Sequence, residues 1–253
     1  TADLAGRDLS GFAVIENLAT GNTTFKLDGS TSFSDVSEFS TGDAAGTDTL
    51  ETADTVLDVS GIALTNIDTL ATTNDTGTTF TLASSQTDLS VNGGGGTDQV
   101  MVNGLTPDVT GLNLQDIEGL AFADGATATL DQSLVDTVAD IAGGSGTERL
   151  ATGANSLDLS GVNISSVEEV EGTGWATTFT VTSAQLGGLD TFIGGAGGST
   201  LEVTGTTLDA SSLTLTNVDT LTTTNTAGTD FTGTGSGEEL IGHDGDDLLN
   251  GGA

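Results

Sequence analysis

Glycine-rich turns that end in a carboxylate recur through this 253-residue chain. Gly93-Gly94-Gly95-Gly96-Thr97-Asp98-Gln99-Val100 fits G-G-x-G-x-D-x-U throughout, U being a large apolar residue. The turn from Gly143 to Leu150 places Glu148 at the acidic position, and the turn from Gly242 to Leu249 places Asp247 there, with His243 second. Ala45 to Leu50 keeps only the second half, around Asp48, and Gly194 to Leu201 carries Ser199 in place of the carboxylate. A hard dication takes six to eight oxygens. Glycine lets backbone carbonyls converge on one point, and one carboxylate then supplies charge. The expected metal ligands are Asp247, Asp98, Asp48 and Glu148, with Asp244 and Asp246 beside the first, and the turn glycines Gly93, Gly96, Gly242 and Gly245. The alternative is a metal-free corner in which the acid closes an Asx-turn.

These turns belong to a longer repeat. Asp8-Leu9-Ser10-Gly11 returns as Asp58-Val59-Ser60-Gly61, Asp108-Val109-Thr110-Gly111 and Asp158-Leu159-Ser160-Gly161, and in weaker form as Asp209-Ala210-Ser211-Ser212. Fixed-period self-similarity of this kind marks a stacked architecture. Between the anchors, Thr, Val, Ile, Ser and Gly dominate. Apolar residues alternate over three to five positions before a break, as in Leu157-Asp-Leu159 and Phe179-Thr-Val181. That alternation is the signature of short strands. Strands this short suit a solenoid, where each pairs with its equivalent one coil above. The expected fold is all-β: one parallel β-solenoid (β-helix or β-roll) over residues 1–253, built from five repeats near 1–55, 56–105, 106–155, 156–206 and 207–253. Fifty residues suit two coils of about 25 or three of roughly 17. Trp175 and the Phe residues are expected in the core, and Asn66, Asn74, Asn217 and Asn225 at corners. The Asp8, Asp58, Asp108, Asp158 and Asp209 carboxylates are expected in solvated turns.

The Gly-Asp turns resemble the RTX family, the hemolysin-type calcium-binding repeat proteins exported by bacterial type I secretion. The likeness is closest in Gly242 to Asn250 and in Gly93 to Val100. It implies a parallel β-roll or β-helix, calcium in the turns and a secreted or cell-surface location. Family rolls run the nonapeptide in tandem, whereas here one turn occurs per 50 residues, like the strand-repeat region of a large surface protein or adhesin.

Composition narrows the function. Lys and Arg number 3 against 37 Asp and Glu, a formal charge of −34. Nucleic acid is excluded as a partner because three cations make no phosphate footprint. No apolar run is long enough to insert in a membrane, and no leader sequence is evident. Without cysteine there is no disulfide framework. Catalysis on a uronate polymer would need clustered cations and a base, but the three cations are scattered, Arg7 and Lys26 at separate positions of the first repeat and Arg149 in the third, with His243 near the end. The chain is therefore expected to be structural rather than enzymatic: a filament, surface-layer, matrix or adhesin segment folded and rigidified by calcium. No cap is recognisable before Leu4 or after Leu249, which predicts head-to-tail association with itself; a cell-surface glycan is a further expected partner. The competing reading is an ice-binding or carbohydrate-binding solenoid, and behind it a polysaccharide-acting enzyme.

Overall fold

The computed structural model describes residues 1–42 and 45–252. It is a parallel β-solenoid of about 11 turns. Among the described residues, helix is limited to Gln132–Val135 and a 3-10 turn at Gln185–Gly187. The chain divides into two compact units, Thr1–Ala123 and Asp124–Ala253.

In the first unit the strands form three columns. One holds Ala2–Asp3, Thr24–Leu27, Thr49–Thr52, Thr69–Thr72, Ser90–Asn92 and Asn113–Gln115. The second holds Val56–Asp58, Thr79–Ala83, Gln99–Asn103 and Gly119–Phe122; the third holds Val14–Asn17, Glu38–Thr41 and Ala63–Thr65. Register is residue-to-residue, so Phe25, Leu50, Leu70, Val91 and Leu114 stack, as do Leu57, Phe80, Val100 and Leu120. Because side chains alternate across a strand, a one-residue slip would turn each stack out to water. The second unit repeats the plan. Ala128, Leu150, Val170, Phe192 and Leu215 form one stack, Leu157, Phe179, Leu201, Leu221 and Leu240 another, and Leu208, Phe231 and Leu249 a third.

The coil and the sequence repeat are not commensurate. Phe25 to Leu50 is a coil of 25 residues and Leu50 to Leu70 one of 20. Three sides close a coil, yet the chain passes seven sides, near residues 50, 57, 64, 70, 80, 86 and 91, before reaching Val100. A repeat is thus neither two nor three coils but about two and a third. Leu50 and its repeat mate Val100 therefore occupy different columns, and so do Leu150 and Leu201.

Where a side lacks a strand, a glutamine takes over the pairing. Gln86 Nε2 donates to the Val59 and Ile62 carbonyls at 2.9 and 2.6 Å, and its Oε1 accepts the Ala83 N–H. Gln185 does the same with Leu159, Val162 and Thr182. Buried backbone groups need partners, and these side chains supply them.

Seven phenylalanines fill the core: Phe25, Phe39, Phe80, Phe122, Phe179, Phe192 and Phe231. Phe12 and Trp175 do not, being 57% and 75% exposed, because both lie in turns outside the strand columns. Phe179 packs between Leu157 and Leu201 with its ring 5.9 Å from Phe192. Phe179→Ala is expected to cost about 3–5 kcal/mol in denaturant unfolding, whereas Phe12→Ala should stay within about 0.5 kcal/mol.

Candidate functional site

The repeated Asp-x-Ser motif behaves as a solvated turn. Asp8, Asp58, Asp108, Asp158 and Asp209 are exposed, and each accepts the N–H two residues on, from Ser10, Ser60, Thr110, Ser160 and Ser211. The hydrogen bonds from Ser10 and Ser211 hold the Asp8 and Asp209 carboxyls below their ordinary values.

The acids of the Gly-Asp turns are built differently. Asp48, Asp98 and Glu148 are each only 1% exposed. Each carboxylate accepts a backbone N–H from the coil before it: Thr78 to Asp98 Oδ1 at 2.6 Å, Thr23 to Asp48 Oδ1 at 2.5 Å and Gly125 to Glu148 Oε1 at 2.6 Å. Each residue's own N–H then donates to a carboxylate of the coil after it, Asp68, Glu118 or Glu168. These corners are ladders of alternating N–H and carboxylate, climbing one coil per step. Asp247 Oδ1 accepts Thr229 N–H at 2.7 Å in the same way, and at Ser199 the hydroxyl takes the Thr177 and Gly195 N–H groups. Asp68, Glu118 and Glu168 were not singled out from sequence. Their signal was available, since acids recur at 68, 118, 168 and 219.

The first glycine of each turn is required by close approach, not by its φ angle. A Cβ on Gly93 would lie 2.0 Å from the Asp116 carbonyl oxygen and 2.7 Å from the Asp98 Cγ; on Gly143 it would lie 1.8 Å from the Ser166 oxygen and 2.7 Å from the Glu148 Cγ. Gly194 is pressed likewise by Asn217 and Ser199, and Gly242 by Asp247. The facing carbonyls belong to residues in the left-handed region, Asp116 at φ 51°, Ser166 at 51° and Asn217 at 54°. Gly96 and Gly245 do adopt positive φ, at 112° and 115°. Gly96 and Gly245 seat against Gly77 and Gly228.

The corners differ in how they satisfy their acceptors. At the first, the Thr41 hydroxyl donates to Asp48 Oδ2 at 2.7 Å and also reaches the Asn66 carbonyl. At the fourth, a Ser199 hydroxyl replaces the acid. At the second and third, no side-chain hydroxyl donates to the acid among the described residues. Asp98 Oδ2 and Glu148 Oε2 are buried and find no hydrogen-bond partner among the described residues. A buried acceptor without a donor suits a cation or a water. Burial raises the Asp98 carboxyl above its ordinary pKa; the Thr78 N–H opposes this, and Glu118 and Asp116 add to it. The expected ligands are not gathered into one centre. Asp48, Asp98, Glu148 and Asp247 occupy separate corners, Asp244 and Asp246 are exposed, and no group of three or more His, Cys, Asp or Glu that could hold a metal occurs among the described residues. The oxygens left open to a further ligand among the described residues are the buried Asp98 Oδ2 and Glu148 Oε2, one at each of two corners.

Asp98 gives a pH dependence with a definite sign. Its folded pKa lies above the unfolded one, so ionisation destabilises the fold. That penalty is absent below the unfolded value and complete once the pH has passed the folded one. Asp98→Asn keeps an acceptor for the Thr78 N–H, removes the charge and adds a donor beside the Asp116 carbonyl. In cation-free buffer at neutral pH it should gain about 1–3 kcal/mol, and the gain should shrink as pH falls. Denaturant unfolding across a pH series reads this directly; a loss of stability at neutral pH would refute the donorless corner.

Compared with family models, curated proteins and solved structures, the chain matches none, so its likeness to RTX repeats rests on the Gly-Asp turns alone.

Proposed function

We propose that this protein is an extracellular structural segment, a rigid solenoid of the adhesin, surface-layer or matrix kind, stiffened by calcium at its acidic corners and able to stack on copies of itself. The observation that carries this reading is the pair of buried, donorless oxygens, Asp98 Oδ2 and Glu148 Oε2, each in a corner with a second carboxylate from the adjacent coil. Unit charges about 5 Å apart repel by roughly 3 kcal/mol at an effective dielectric of 20, and a divalent cation would reverse that sign. Extracellular calcium modules bind at about 10⁻⁴–10⁻³ M, a range consistent with incomplete ligand sets. Calcium at such corners would tie consecutive coils together.

A structural role fits the disposition of the cations better than an enzymatic one. Lys26 is bound to Glu51, and Arg149 bridges Glu169 and Glu171, so both link neighbouring coils. Self-stacking is the reading proposed for the exposed apolar side chains Phe12, Val14 and Leu18 of the first unit and Ile241, Leu248 and Leu249 of the second, which a further coil, of this protein or of a second copy, would cover.

The test is thermal unfolding with light scattering, titrated with calcium from a chelator-treated start. At a hundredfold excess over Kd each occupied corner should add about 2.7 kcal/mol. The double variant Asp98→Asn/Glu148→Gln should no longer respond. Asp48→Asn, whose corner already has its hydroxyl donor, should keep the calcium response while losing stability. Melting and scattering that ignore calcium in the native protein would overturn the proposal.

A further inference from the structure

We propose that Trp175 and the hydroxyl-bearing strand face beside it form a binding subsite for an uncharged glycan. Trp175 is the single tryptophan and is 75% exposed. It occupies the turn between Glu169–Gly172 and Thr178–Thr182. The corresponding turns of two other repeats are tied by asparagine: Asn74 Nδ2 donates to the Gly77 carbonyl at 2.9 Å, and Asn225 Nδ2 to the Gly228 carbonyl at 2.8 Å. The turn Thr173-Gly174-Trp175-Ala176 has no such asparagine. The indole is thus a local departure from the repeat, not a device for closing the turn.

The ring is nevertheless held. The Gly197 N–H of the next coil donates to the Trp175 carbonyl. A Cβ on Gly197 would lie 2.2 Å from both Cδ1 and Nε1 of the indole, and one on Gly195 would lie 2.0 Å from the Gly174 carbonyl oxygen. Gly197 of the adjacent coil therefore seats the edge of the indole and Gly195 admits the backbone of its turn, while most of the ring's surface stays in water. A large apolar platform fixed in advance loses little freedom on binding, and aromatic residues with one apolar and one polar end are suited to wet interfaces.

Beside the ring lies an open groove of about 360 Å³ whose lining includes Asn155, Trp175, Thr178, Gly198 and Thr200. The strand register extends this polar floor. Ser156 pairs with Thr178, Thr178 with Thr200 and Thr200 with Thr220, giving one hydroxyl per coil, about 4.8 Å apart. Hydroxyls and the Asn155 amide both donate and accept. A pyranose ring presents the complement, an apolar C–H face for the indole and hydroxyls for the row. The chain's charge of −34 repels polyanions, so the class that fits is a neutral polysaccharide. A lysine-rich segment could instead stack on the indole, but it would leave the hydroxyl row without equivalent partners.

The chain has one tryptophan and no tyrosine, so its indole fluorescence reports on this site alone. Titration with cellohexaose and with chitohexaose should give a saturable blue shift with at least one of them. On affinity gels cast with glucan, chitin derivative, mannan or galactan, retardation by the responding polymer should fall at least tenfold in Trp175→Ala. It should also fall in Thr178→Val/Thr200→Val, with unchanged circular dichroism. The proposal is overturned by three results: no spectral shift and no retardation on any neutral polymer, retardation that survives Trp175→Ala, or a shift produced by oligolysine but by neither sugar.

Discussion

Every coil of a parallel solenoid must hand its backbone hydrogen bonds to the coil above, and the corners are where that transfer is hardest. Along the strands the transfer is automatic, since register pairs Phe25 with Leu50 and Leu50 with Leu70. At the corners the backbone turns and N–H groups lose their carbonyl partners. A side chain buried beneath the turn must take their place, and this protein uses an acid for it. Asp48, Asp98 and Glu148 each accept the N–H of the preceding coil while donating their own to the next acid. The glycines follow from this constraint. A carboxylate folded back under its own turn leaves no room for a Cβ at Gly93 or Gly143.

The same corner is finished in different ways, and together they explain one another. Thr41 supplies a hydroxyl to Asp48, and Ser199 abandons the charge. At the corners of Asp98 and Glu148 one buried carboxylate oxygen is left without a donor among the described residues. An unpartnered buried oxygen is costly in a medium where electrostatic interactions are strengthened. These two positions are the ones on which the proposed calcium role rests. Structure and proposed regulation thus meet in the same side chains.

Three sides per coil and seven per repeat have a further consequence. A given sequence motif moves to another face at each repeat, as Leu50 and Val100 do in the first unit and Leu150 and Leu201 in the second. Acidic corners are therefore not stacked directly upon their repeat mates. Like charges at equivalent positions of the repeat are kept apart, while the Asp98–Glu118 kind of pair joins neighbouring coils across a repeat boundary.

Local chemistry made the fold class legible. Period-2 alternation and Thr and Val enrichment depend only on neighbouring residues, the 50-residue self-similarity is read directly along the chain, and together they led to short parallel strands with Gly-Asp turns at the corners. The solvated role of Asp8 and its mates followed from the adjacent serine. What sequence could not decide was the number of sides that close a coil, because closure depends on how far each turn bends the chain. That number determines which residues, some 20 apart, become vertical neighbours. Hence the burial of Asp98, its contact with Glu118 and its missing donor were set by the tertiary structure alone. Trp175 shows the converse: its apolar character suggested the core, but the glycines that seat it at the surface belong to another coil, and only the fold brings them beneath it.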